Sequence, residues 1–404
     1  MSHEDEFDRE REQLLAEVEK GADEILGLAR WMSAHPELSL EERETSQRYR
    51  TYLTARGFEI SSGVAAMETA FLAHRGAGGT SFTAALLAEM DALPELGHAC
   101  GHNLSGPASL LAAAALVKVL PADAAQIVVV GCPAEETGVG KRRLVEAGVF
   151  DQTDVALMAH ASDMRRAHRL FLGNRKFEFV YHGKASHAAA YPEQGRNALD
   201  GVIALFVSLG LLRQQCPSDA RIHGIISDGG QAPNVIPERA AARIWVRALH
   251  PSILEQTAER VVACARGAAE ASGTRLEVIT EPNCSPPMRP NLALAALYRR
   301  QLERLELPET AHAPSEAIGS SDITHISWVV PTIHPNFPIG RNLELHTRAF
   351  AEATTTPAGE QGLLEAARAL ALTVHELARS PARREEVAQQ APRPEGDGFP
   401  CETG

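Results

Sequence analysis

Leu14, Leu15, Val18, Ile25 and Leu28 recur at roughly helical spacing, so the chain opens on a predicted amphipathic helix from about Glu4 to His35. Thr45 to Gly57 reads as another helix. The pattern then changes. Phe82-Thr-Ala-Ala-Leu-Leu-Ala-Glu-Met is a nearly unbroken apolar run of strand length, ending at Asp91. Leu104 to Leu120 has the Ala- and Leu-rich composition of a core helix and stops at Pro121. Gln126-Ile-Val-Val-Val-Gly predicts a strand, Lys141 to Gly148 a helix, and Val155-Ala-Leu-Met-Ala a strand. Such alternation predicts an α/β domain with a mainly parallel sheet, whose functional groups gather at the carboxyl ends of strands. Asp91, Glu135, Glu136 and His160 all fall at those ends.

From about Asn174 the periodicity shifts. Lys176-Phe-Glu-Phe-Val-Tyr-His alternates as a half-buried strand should. A helix over Asn197 to Gln214 follows, then strands near Arg221–Ser227 and Ala240–Ala248, a helix from Ile253 to Ala271, and a strand over Arg275–Thr280. This order predicts an α+β domain inserted into the first. The expected organisation is a catalytic domain in two parts, residues 1–173 and 286–380, around an insert at 174–285. Residues 381–404 are rich in Arg, Glu, Gln and Pro without apolar periodicity, and are expected to be a disordered tail.

A chain of 404 residues is long enough for two cores. Its net charge of −13 argues against a nucleic-acid partner and gives no attraction to anionic membranes. The first ten residues are charged from the start and lack the apolar run of a signal peptide; the longest apolar stretch, Leu110 to Val117, is far below a bilayer span. A cytoplasmic location is expected. Six cysteines in this length do not make a disulfide framework. Cys132, Cys216, Cys264 and Cys284 read as buried or incidental thiols, and Cys401 lies in the tail.

Metal-competent side chains cluster in short motifs. Cys100 and His102 stand in Gly97-His98-Ala99-Cys100-Gly101-His102-Asn103, where an extended or tightly looped backbone would aim both at one centre. Alone, the segment reads equally as a glycine-rich turn with a buried thiol. Glu135-Glu136 follows a Val-rich strand; one carboxylate can bind metal while the other faces a water, and the pair would repel without a cation. The bland alternative is an acidic cap on the next helix. His160 alone would be a core histidine, and His346 is inconspicuous. Asp91 could orient a ligand histidine. Thiolate, imidazole and carboxylate together suit zinc, or manganese with less preference for thiolate. Two such ions about 3.5–4 Å apart would share and activate a water, with Glu135 taking its proton.

Several strings resemble a known family: Glu89-Met-Asp91-Ala-Leu-Pro, the Cys100/His102 segment, Pro133-Ala-Glu135-Glu136, and Gly183-Lys-Ala-Ser-His187-Ala. They look like the dinuclear metal-dependent amidohydrolases of the aminoacylases and auxin-conjugate hydrolases. Asn103 and His334-Pro-Asn-Phe-Pro-Ile-Gly340 bring the chain nearer the branch of aminobenzoyl-glutamate hydrolases and β-alanyl-lysine dipeptidases. The resemblance runs from about residue 20 to 375. It implies two divalent ions, zinc or manganese, held by Cys100, His102, Glu136, His160 and His346, with Glu135 as base and Asp91 behind a ligand. It makes the insert a lid and dimerisation domain, and hence the protein a homodimer. His187 would bind substrate and oxyanion, often across the dimer; Asn234, and less firmly Arg247, would meet the substrate carboxylate. Read from the residues alone, His187 is a surface histidine and Asn234 a turn residue. Two departures stand out: Gly319-Ser320-Ser321-Asp322 carries Ser at 321, and Pro286-Pro-Met288-Arg289-Pro-Asn291 sets Arg289 near the expected pocket entrance, where it could pair with a substrate carboxylate.

The expected activity is hydrolysis of an amide C–N bond in a small carboxylated substrate: an N-acyl amino acid, a dipeptide or an aminobenzoyl amide. The nearest alternative keeps the metals and deaminates an aromatic amine such as a nitro-substituted anthranilate, releasing ammonia. A Cys100/His102 nucleophile would leave Glu136, His160 and His346 unexplained. A binding protein on a degenerate scaffold would have lost a ligand or the base, and none is missing.

Overall fold

The computed structural model describes residues 3–76, 80–281, 284–311 and 318–392. In chain order its strands are β1 (Glu59–Ser62), β2 (Phe71–Arg75), β3 (Thr83–Glu89), β4 (Gln126–Cys132), β5 (Val155–Leu157), β6 (His160–Ser162), β7 (Gly173–His182), β8 (Arg221–Asp228), β9 (Arg239–Ala248), β10 (Arg275–Thr280), β11 (Thr332–Ile333) and β12 (Asn336–Pro338). They divide between two compact units. Among the described residues, one comprises 3–169, 289–311 and 321–392; the other holds 170–281 and 284–288 with 318–320.

In the first unit a six-stranded sheet runs β1-β2-β4-β3-β5-β11. The β3–β4, β3–β5 and β5–β11 pairs are parallel, and β2 joins β4 antiparallel, as does β1 to β2. Every residue of β3 is buried, as its apolar run demands of a strand covered on both faces. The helix His102–Val119 is buried along nearly its whole length and packs on β3 and on the helices Pro357–Arg379, His3–Lys20 and Ala22–Ala34. The long opening helix expected from the periodicity is thus two helices. They part at Gly21, which packs against the core helix: a Cβ there would come within 2.5 Å of Leu111 Cδ1, and that methyl would have to shift. β6 and β12 form a separate parallel pair, with Asn336 opposite His160.

The second unit is an antiparallel sheet, β10-β7-β9-β8. Helices Ala198–Arg213 and Pro251–Ser272 cover the face presenting Phe177, Phe179, Tyr181 and Ala240, Ala242, Ile244, Val246. β8 is an edge strand.

Two expectations fail. The start of the expected tail is not structureless: Pro381–Ala388 is a helix, capped by Ser380 and anchored where Asn291 Nδ2 donates to Val387 O at 2.9 Å, while residues 393–404 lie outside the described residues. Buried Val387, with side-chain bonds that include Asn291 to Val387 O and Ala293 N to Gln390 Oε1, docks a segment too short to show periodicity. Cys284 is disulfide-bonded, whereas Cys100, Cys132, Cys216 and Cys264 are free. Spacing along the chain cannot reveal a link that depends on the tertiary path.

Candidate metal centre

Each expected ligand in the first unit is delivered by a local backbone device. Cys100 lies in the turn before the helix that His102 begins, and Gly101 between them is left-handed at φ +86°. The link is therefore not an extended one. A Cβ on Gly101 would stand 2.5 Å from Ala161 Cβ, so conformation and space both demand glycine. Glu135 and Glu136 follow β4 through Ala134, a non-glycine residue at φ +57°. The buried Glu42 carboxylate holds that strained turn: Oε1 accepts from Ala134 N at 2.9 Å and from Leu40 N at 2.9 Å, and Oε2 from Thr69 Oγ1 at 2.8 Å. His160 opens β6, and His346 sits at φ +62°, its N–H donating to Ala99 O at 2.9 Å.

These devices bring the side chains together. One ligand atom from each of Cys100, His102 and His160 lies within 4.8 Å of the others, and the same is true of Cys100, His102, Glu135 and Glu136. Cys100 Sγ is 3.5 Å from His160 Nε2, and His346 Nε2 is 3.5 Å from Glu136 Oε2. His346 is the most exposed of the set. Orientation is fixed from behind. His160 Nδ1 meets Ala161 O at 2.8 Å, which turns Nε2 toward Cys100. His102 Nδ1 meets Asp91 O at 2.8 Å and Asp91 Oδ1 at 3.2 Å, which turns Nε2 inward. Asp91 Oδ2 accepts from Ser39 Oγ at 2.8 Å and from Glu136 N at 3.0 Å, tying one orienting carboxylate to the backbone of a ligand.

The donor set fits divalent metal. His102 Nε2 and Glu136 Oε1 are buried without hydrogen-bond partners among the described residues, an arrangement that costs free energy unless a cation is shared between them. The metal-free electrostatics carry the same signature. Burial pulls His102 down, but Glu89 and then Cys100 outweigh it and hold the imidazole well above its ordinary value. A proton is retained where a metal would bind. Burial pushes the Cys100 thiol well up and His160 down to about 4, which leaves the His160 imidazole neutral and able to offer a lone pair. For Glu135, burial first and then the charges of Glu89 and Asp322 push the carboxyl up to about 8. Soft and hard donors mixed in this way suit zinc or a similar ion.

Residues that sequence pattern did not single out as site groups line the same region. Lys141, fully buried, places Nζ 2.6 Å from Glu89 Oε1 and 2.5 Å from Asp322 Oδ1. Against burial, Lys141 and then His102 hold Glu89 well below the ordinary carboxylate range. Glu89 had a signal: it is an acidic residue closing an apolar strand, two positions before Asp91. Glu42 and Ser39 had none.

The expected substrate residues fall in two groups. Arg289 belongs to the first unit, with Cζ 5.5 Å from the centroid of Trp328 and its N–H donating to Ser327 Oγ at 3.0 Å. His187, Asn234 and Arg247 belong to the second. His187 is exposed, and its Nδ1 accepts from Ala189 N and Ala190 N at 3.3 and 3.2 Å, leaving Nε2–H as an outward donor. Asn234 O accepts from Ala188 N at 3.0 Å, so Asn234 and His187 sit on paired segments. Arg247 lies beside Trp245 (5.3 Å to the centroid) and donates to Ser320 Oγ at 3.3 Å. It lines a groove of about 480 Å³ with Arg213, Arg221 and His223, a basic patch on an acidic protein.

Residues 172–272 match the peptidase dimerisation domain of the M20 family. The chain is 35% identical to the Xaa-Arg dipeptidase of Mus musculus over 92% of its own length and 90% of the relative's. It is 32% identical to a polypeptide of the p-aminobenzoyl-glutamate hydrolase of Escherichia coli over 68% of its length and 61% of that protein's. Among solved structures, a dinuclear metal-binding M20 peptidase from Bacillus subtilis superposes with a TM-score of 0.70 at 21% identity, over 89% of this chain and 99% of that one. The fold is shared at that distance.

Proposed function

Because the chain belongs to the M20 family of metal-dependent peptidases and amidohydrolases, enzymes acting on C–N bonds, we propose that it hydrolyses the amide of a dipeptide or similar amino-acid conjugate that ends in a free carboxylate. The observation that carries this reading is the convergence of Cys100, His102, His160 and Glu136 on shared space, with Glu135 beside them. Two divalent ions there, zinc or manganese, would activate a water and polarise the scissile carbonyl. Cys100, His102, Glu136, His160 and His346 are the proposed ligands, and Asp91 orients His102.

Glu135 accepts the proton of the attacking water and returns it to the departing amine nitrogen, which leaves as a neutral amine. A carboxyl held high by burial is suited to that second transfer. His187 offers Nε2–H to the oxyanion that forms on the carbonyl oxygen. Arg247 and Asn234 are proposed to receive the substrate carboxylate, with Arg289 as a second cationic group. Xaa-Arg dipeptidase as a near full-length relative favours dipeptides over simple N-acyl amino acids.

A homodimer is part of the proposal. Ile203, Val207 and Leu211 form a stripe at i, i+4 and i+8 on Ala198–Arg213, exposed by 49, 60 and 71%, and Ile225 and Ile226 lie open on the edge strand β8. An apolar stripe beside an unpaired strand edge is what a second copy would cover. No helix among the described residues is long and apolar enough to cross a membrane.

The test is product analysis on zinc- or manganese-loaded enzyme with dipeptides ending in basic, acidic and neutral residues, with aminobenzoyl-glutamate, and with substituted anthranilates. Two organic fragments from one amide are expected, and none from Glu135→Ala. Ammonia with a hydroxylated ring would overturn the amide reading.

A further inference from the structure

Glu89 ends β3 and is fully buried. Its two oxygens have different surroundings. Oε1 accepts from Lys141 Nζ at 2.6 Å. Oε2 has no hydrogen-bond partner among the described residues and lies 3.4 Å from His102 Nε2. Asp91 already engages Nδ1, so Nε2 is the nitrogen that faces this shared space. A buried carboxylate oxygen left without a hydrogen bond beside an inward-facing imidazole nitrogen is costly in a dry site unless a cation occupies the space they share.

The other side of Glu89 is already neutralised. Glu89, Glu135 and Asp322 bring carboxylate oxygens within 4.8 Å of one another, and the Lys141 ammonium sits against two of these three groups. Asp322 binds Lys141 twice, through Nζ at 2.5 Å and through the backbone N at 2.9 Å, so the lysine cannot swing away. Were Glu89 only the counter-ion of Lys141, both its oxygens could turn toward donors on that side. Instead Oε2 is held away from the ammonium and toward the ligand histidine.

We infer that Glu89 is an additional carboxylate of the metal centre, presenting Oε2 to the cation bound by His102, with Lys141 and Asp322 as positioning residues that fix its orientation. The inference rests on the two-metal reading of the site. It adds negative charge to a set that otherwise has three imidazoles, the Cys100 sulfur and one ligand carboxylate, and so raises affinity for a divalent ion at the His102 position.

Glu89→Gln tests it, since the amide keeps the shape and an acceptor for Lys141 while removing the charge. Zinc binding to metal-free protein is measured by titration calorimetry and by chelator competition. The dissociation constant at one of the two sites should rise about 10- to 100-fold, the range typical of groups next to metal ligands, while the other moves less than about threefold. The rise in melting temperature on adding zinc should shrink in parallel. If the single variant does not fold, Glu89→Gln with Lys141→Met removes both charges of the pair together and carries the same expectation. Unchanged zinc affinity at both sites, in a folded variant, overturns the role of Glu89. A wild-type protein that takes up fewer than two zinc ions overturns the two-metal reading instead.

Discussion

Glu42 is the residue on which the catalytic turn depends most directly, and its substitution should separate charge from acceptor geometry. Its carboxylate satisfies three donors, Ala134 N, Leu40 N and Thr69 Oγ1, and is fully buried. Glu42→Ala orphans two backbone N–H groups and a hydroxyl. Each such bond to a charged acceptor is worth about 1.5–3 kcal/mol. Burial and the nearby Asp91 push the Glu42 carboxyl above its ordinary value, so part of the gross gain is already offset, and water entering the cavity recovers some more. A net loss of about 3–5 kcal/mol remains, comparable to breaking other buried charged contacts. Glu42→Gln behaves differently. Its amide oxygen can serve both backbone donors while its NH2 donates to Thr69 Oγ1, whose hydroxyl can reverse, so the cost should be about 1–2 kcal/mol. Thermal melts of metal-free protein read both, at roughly 2 °C per kcal/mol for a unit of this size. Ala134 should also relax from φ +57° in the alanine variant, displacing Glu135 and lowering kcat by roughly tenfold or more. Equal destabilisation by Ala and Gln, or less than about 1 kcal/mol from Ala, would refute the argument that Glu42 acts as a shared acceptor.

Three further outcomes are expected. In metal-free protein Glu135 keeps its proton up to about pH 8, whereas the unfolded chain releases it near its ordinary value of 4.5. The folded state therefore holds the extra proton between those values, and stability falls as pH rises through that window; Glu135→Gln should abolish this part of the slope in melts at pH 5 and pH 8, and should lower kcat of loaded enzyme by roughly 10²–10⁴. Gly101→Ala meets both a left-handed φ and Ala161 Cβ at 2.5 Å, so it should reduce bound metal on elemental analysis far more than Gly27→Ala, where nothing lies within 4 Å. Val207→Glu with Leu211→Glu should shift the protein to monomer in analytical ultracentrifugation while leaving the far-UV spectrum unchanged; a persistent dimer would show that another face associates.

Much of the molecule follows from local pattern. β3 and the helix His102–Val119 were legible because elements buried all round must be apolar all round, and β7 because a half-buried strand must alternate. The short edge strand β1 was not, since Glu59–Ser62 is largely exposed and carries no alternation. Cys100, His102 and the Glu135–Glu136 pair announced themselves through short spacing and through charge at strand ends. Glu42 and Ser39 did not: acidic and hydroxyl residues near a helix start are common, and only the folded path carries Glu42 to Ala134, 92 positions away.

By itself, then, the sequence determined the type of most elements and which donor side chains are available, because burial periodicity and donor identity are written residue by residue. The tertiary structure decided which acid faces which histidine. Glu89, Glu135 and Asp322 are alike as letters, but Lys141 neutralises one side of Glu89 and Asp91 claims one nitrogen of His102. Orientation within a dry cluster is set by which partners arrive from distant segments, and that is a property of packing rather than of spacing.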